Sequence, residues 1–321
     1  MSMTATTVFP AVQTRWHRPL LWLSLAMAAS TLGTLAGLLF DPRLLDGSSI
    51  WAKPFKFSVS ILIYAVTLAW LLDQLPRWRR LAWWAGTATA VFLAVEMVII
   101  GGAAAAGSTS HFNVSTPLAA GLWSAMAASI VTVWLAALLV ALLLFRAPLG
   151  DPARSVAIRA GLVTGLIGMA LAFLMTGPTA DQLNNFQGIV GAHTVGRPDG
   201  GPGLPLLGWS TEAGDLRVPH FVGMHALQLI PLTALLLELG ARRIPLLRST
   251  ATRLGLLWIT VMSYLGALAL LTAQALAGQS VVRPDAAFTT WGLALLAAAG
   301  IAAAVVLARG RRAAVELHPA S

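Results

Sequence analysis

Eight apolar runs, each about twenty residues or longer, leave this chain few ways to fold. They cover approximately 19–40, 54–74, 81–104, 117–145, 154–176, 219–240, 252–276 and 288–308. About 20 apolar residues in an α-helix cross a hydrocarbon core of about 30 Å, and spanning helices satisfy every backbone polar group internally. Charged residues make up 10% of the chain, against roughly 25% in soluble domains. The sequence therefore predicts one all-α integral-membrane domain over 1–321, a polytopic transmembrane bundle of about eight helices.

Charge is sorted by side. Arg15, Arg18, Arg77, Arg79, Arg80, Arg146, Arg154, Arg159, Arg242, Arg243, Arg248, Arg253, Arg309, Arg311 and Arg312 fall in one set of connections. The other set keeps Arg43, Lys53, Lys56, Arg197, Arg217 and Arg283. Short loops rich in Lys and Arg stay cytoplasmic. An even number of spans then places both the first 18 residues and the tail 309–321 in the cytosol. Arg15 and Arg18 ahead of Ala26-Met27-Ala28 imitate a signal peptide, but the run continues to Phe40 before Asp41-Pro42 stops it. An uncleaved first helix is expected.

The net charge of +9 does not point to nucleic acid, because the basic residues sit in short turns beside helix ends rather than on one face of a soluble module. With no cysteine, disulfides, thiolate ligands and thiol nucleophiles are excluded. Thr116-Pro117, Asp151-Pro152, Lys53-Pro54 and Val218-Pro219 read as helix entries. The twelve tryptophans fit interfacial belts.

The connection 177–218 breaks the pattern of short turns. It is rich in Gly and Pro yet carries Phe186, Ile189, Val190, Leu204, Leu206, Leu207 and Trp209. That is too apolar for a floating linker, so an ordered cap over the outer end of the bundle is expected.

The chemistry-bearing residues gather at that same end. Glu96 lies sixteen residues beyond Arg80, about 24 Å along its helix, where an acid costs on the order of 3 kcal/mol and needs a partner or a proton. A turn at Gly101-Gly102 would fold His111 back over it. His225 shares a helix face with Gln228, and Glu96 is a candidate partner for it. His220 and His225 are five residues apart and point about 140° from each other, unlike the i, i+4 pair of HExxH. Glu96, His225 and His111 are the candidate catalytic groups, and His193 and His220 the candidate cofactor ligands. Lys53, Lys56, Asn113, Arg217 and Gln228 are the candidate substrate-binding groups. His111, His193, His220 and His225 are a possible ligand set for a metal, and two of them for a haem. Snorkelling accounts equally well for Lys53 and Lys56, and a structural interhelical bond for Glu96.

Trp51-Ala52-Lys53-Pro54-Phe55-Lys56-Phe57, Ser110-His111-Phe112-Asn113 and the run from Gly191 to Gly203, with the His220 to Gln228 stretch, resemble a family of bacterial multipass inner-membrane proteins of about eight helices and unknown activity. The resemblance implies a bacterial cytoplasmic membrane and no particular substrate. Three functions fit the sequence. They are a membrane-embedded enzyme or cofactor protein acting at the periplasmic face on a lipid or small molecule, a transporter, and a non-catalytic assembly protein.

Overall fold

The computed structural model describes residues 16–45 and 47–317. Arg15, with most of the expected cytoplasmic N-terminal stretch, and the end of the 309–321 tail lie outside the described residues. The long helices are α1 (Arg18–Phe40), α2 (Ala52–Asp73), α3 (Arg79–Ala105), α4 (Pro117–Phe145) and α5 (Pro152–Ala170), then α7 (Arg217–Gly240), α8 (Thr250–Leu276) and α9 (Ala286–Leu317). A short α6 (Ala180–Asn184) lies in the long connection. Among the described residues, eight helical segments are long and apolar enough to cross a membrane. The chain is an all-α, multipass integral membrane protein.

Local chemistry sets the helix starts. Thr116 caps α4 by accepting from the Ala119 amide, and Asp151 caps α5 by accepting from the amides of Ala153 and Arg154. Each is followed by proline at a position whose N–H would be unpaired anyway. Pro54 and Pro219 sit slightly deeper than the sequence predicts, as the third residues of α2 and α7. The first turn tolerates this, since its N–H groups have no intrahelical acceptor. Likewise α5 ends at Ala170 and tightens into a 3-10 turn over Leu171–Met175.

Helices α1 to α4 pack as one group, and α5, α7 and α8 as a second, with α9 lying against α8. A shared core joins the groups, because Ile158 and Leu162 of α5 and Leu227 of α7 belong to the same cluster as Leu68, Leu71 and Leu144. Lipid offers no hydrophobic drive for helices to associate, so close backbone approach matters more. Gly161, Gly165 and Gly168 of α5 provide it against α7. A Cβ on Gly168 would lie 2.1 Å from the Gly223 carbonyl carbon. Arg154 pairs with buried Glu238 at 2.7 Å, and Arg253 with Asp151 at 2.8 Å, tying α5 to α7 and α8 on the arginine-rich face.

The opposite face carries the connections 41–51, 106–116, 171–216 and 277–285. The long connection is an ordered cap. Its short strand β1 (Thr194–Val195) pairs antiparallel with β2 (Gly214–Asp215). Asn113 bridges to Ile189, and Gly203 to Ser210.

Candidate functional site beneath the loop cap

Backbone hydrogen bonds seat the cap on the α3–α4 connection. The Val190 amide donates to the Phe112 carbonyl, and the Val114 amide to that of Gly188. Gln182 closes a capping box on Thr179 and also donates to the Gly191 carbonyl. Gly191 has φ +116, and a Cβ there would meet the Met175 carbonyl oxygen and the Phe112 ring, so glycine is required. Phe112 itself is held at φ 65, a left-handed conformation that costs a non-glycine residue energy and survives only where its surroundings fix it. Its buried ring lies 5.2 Å from Trp123 and 4.9 Å from His193.

That strained turn holds two histidines. His193 Nδ1 lies 2.7 Å from Asp199 Oδ2. Asp199 also accepts from the backbone amides of His193 and Thr194 and from the Thr194 hydroxyl at 2.6 Å. Burial works to raise the Asp199 carboxyl, but these bonds and the adjacent imidazole outweigh it and hold the group well below the usual carboxylate range. An ionised Asp199 can only accept, so Nδ1 of His193 carries the proton and Nε2 is the basic nitrogen. Burial pushes His193 below its ordinary value of 6.5, outweighing the bond to Asp199. His111 bonds Ser110 Oγ at 3.0 Å and packs against Phe57, Phe112 and Trp123. Burial, then the nearby Lys53 and His193, hold it well below 6.5. Both rings are neutral at pH 7.

The start of α2 faces these histidines. Lys53 lies within electrostatic reach of Lys56, Arg217, Glu96 and Asp199. Lys56 donates to the Leu207 carbonyl at 2.7 Å. Arg217 is neutralised by fully buried Asp215 and also donates to the Gly208 carbonyl. Lys53 makes no hydrogen bond or ion pair among the described residues. Glu96 is 3% exposed, and its Oε1 has no hydrogen-bond partner among the described residues. An unpaired ammonium and an unpaired carboxyl oxygen therefore sense each other without touching. Two further buried oxygens of α2 and α3, Tyr64 Oη and Thr89 Oγ1, are also unpaired.

The structure assembles only part of the set named from sequence. Lys53 lies within electrostatic reach of Lys56, Glu96, His111, His193, Arg217 and Asp199. His225 does not partner Glu96; its Nδ1 lies 3.2 Å from Gln228 Oε1, and its ring packs on Phe221. His220 bonds the Gly168 carbonyl across the α5–α7 contact. Asn113 turns back to accept from the amide and hydroxyl of Ser115. Helix α3 runs straight through Gly101-Gly102 to Ala105, so no turn there returns the chain toward Glu96. Among the described residues no three His, Cys, Asp or Glu side chains converge as a metal site. The four histidines fall into two separate pairs, so they do not form the metal set considered from sequence.

From sequence, Asp199 is one of several carboxylates of the long loop that could join the histidines around a metal, and nothing pairs it with His193. Its only signal was a carboxylate six residues after a histidine in a glycine-rich turn. Searches against protein-family models, curated proteins and solved structures found no match to this chain.

Proposed function

We propose that this protein is a membrane-embedded acid–base enzyme of a bacterial inner membrane. Its termini are cytosolic, its cap is periplasmic, and its substrate is an apolar or lipidic molecule bearing an acidic group. The observation that carries the reading is the His193–Asp199 pair. Asp199 fixes the ring and its tautomer, leaving Nε2 as a neutral base within electrostatic reach of Lys53. A positioned imidazole of this kind transfers protons at neutral pH. Lys53 and Lys56, one turn apart at the positive end of α2, suit the anionic group of the substrate. Glu96, with one oxygen unpaired, is the second proton-transferring group. His111 is a neutral wall of the site.

Expression in a bacterial host, followed by mass spectrometry of lipids and small metabolites, tests this. Wild-type protein is expected to deplete one class of acidic molecule and accumulate its product. His193→Gln and Lys53→Met, at equal membrane abundance, should leave the host profile unchanged. A profile altered equally by wild type and His193→Gln would rule out the acid–base role.

A further inference from the structure

On the arginine-rich face, far from the cap, the ends of α1, α2 and α3 enclose a half-open cleft of about 480 Å³. Trp16, Arg18, Trp22, Arg79 and Trp83 line it, with Leu72 and Ala82 at its base. Its walls are fixed by His17. The Leu20 amide donates to Nδ1, so Nε2 carries the proton and donates to the Trp83 carbonyl at 2.9 Å. Burial pushes His17 below 6.5, which keeps this tautomer neutral. Close packing at Gly86 preserves the joint, because a Cβ there would lie 2.6 Å from Leu72 and 3.2 Å from His17.

Arg18 and Arg79 are exposed. Neither guanidinium has a hydrogen-bond or ion-pair partner among the described residues, and no acidic side chain lines the cleft. The next ion pairs on this face, Arg154–Glu238 and Arg253–Asp151, belong to the other helix group. Helix α3 adds the N–H groups of a first turn that no side chain caps, since Trp78 lies in the left-handed region at φ 56. Trp22 and Trp83 are 71% and 43% exposed, at the level where indoles meet lipid headgroups. Two unpaired guanidiniums, free amides and apolar indole walls at one membrane surface match a phosphodiester with acyl chains attached.

We infer that this cleft is a binding site for the headgroup of an anionic phospholipid, independent of the cap-side site. Full-length protein in dodecyl maltoside would be titrated with phosphatidylglycerol, phosphatidylcholine and inorganic phosphate, reading thermal unfolding and retained lipid by native mass spectrometry. Phosphatidylglycerol is expected to bind and raise the melting temperature, with phosphatidylcholine and phosphate weaker. In Arg18→Gln/Arg79→Gln, phosphatidylglycerol affinity should fall roughly thirty-fold, each basic residue near an anionic surface contributing about a factor of five. Both residues are exposed, so the lipid-free melting temperature should stay at the wild-type value. Gly86→Ala, which displaces His17, should weaken lipid binding while both arginines remain. Equal affinity in wild type and the double variant, or no preference over phosphatidylcholine, would overturn the site. An equal response to inorganic phosphate would overturn the lipid assignment.

Discussion

Replacing Glu96 by methionine should stabilise the fold and abolish the activity, an opposition expected of a functional group and not of a structural one. Glu96 is 3% exposed, and Oε1 has no partner. An unsatisfied buried acceptor costs about 1–3 kcal/mol, and an acid inside a spanning helix about 3 kcal/mol on insertion scales. The opposing loss is the attraction to Lys53. The two groups make no ion pair, and Asp199 remains to balance Lys53 once Glu96 is gone, so that loss is partly offset. Methionine is close in size and leaves no cavity, so the balance predicts a gain of about 1–3 kcal/mol. Unfolding by sodium dodecyl sulfate in mixed micelles, followed by the fluorescence of the twelve tryptophans, measures it. Glu96→Gln should keep wild-type stability within about 1 kcal/mol and lose the metabolite change described above. A methionine variant less stable than wild type by more than about 1 kcal/mol, with an active glutamine variant, would refute the reasoning and make Glu96 a packing residue.

Three further outcomes follow from the same geometry. Burial holds His17, His111 and His193 below 6.5, so below that pH the unfolded chain takes up more protons than the native one. Stability should be full above about pH 7 and fall toward pH 5, and a melting temperature that rises on acidification would contradict this. Gly168→Ala puts a methyl 2.1 Å from the Gly223 backbone and should cost about 3 kcal/mol or more, whereas Gly121→Ala, with nothing within 4 Å, should be silent in the same unfolding assay. The chain has no native cysteine, so Gly201→Cys should react with an impermeant maleimide on intact cells, and Arg248→Cys only after permeabilisation. The reverse pattern would invert the proposed topology.

Hydropathy alone carries the bundle. The eight apolar runs become, among the described residues, eight helices long and apolar enough to span, and Thr116 and Asp151 cap α4 and α5 as their sequence context requires. The apolar residues of the long connection correctly indicated a folded cap. Side-chain partnerships were less legible, because they depend on which helices become neighbours. Glu96 senses Lys53 of the neighbouring α2, while His225 lies on α7, whose closest neighbours are α5 and α8. Glycines at 101 and 102 resembled a turn, but a spanning helix tolerates them because lipid offers the backbone no alternative partner. The bond from Asp199 to His193 belongs to an irregular turn without periodicity, and His17 depends on a carbonyl 66 residues away. Neither leaves a pattern that sequence can display.

Mapping diethyl pyrocarbonate modification by peptide mass spectrometry tests most directly whether His193 is a free base beneath the cap. The reagent attacks an unprotonated, accessible imidazole nitrogen. His193 has Nδ1 committed to Asp199 and Nε2 without a hydrogen-bond partner among the described residues, whereas His17 has both ring nitrogens engaged. At pH 7, in folded wild-type protein, His193 should be modified well ahead of His17. Asp199→Asn, which loosens the ring and its tautomer, should change the His193 rate and leave the His17 rate alone. A His193 that is unreactive, or no faster than His17, would contradict an acid–base site at this position.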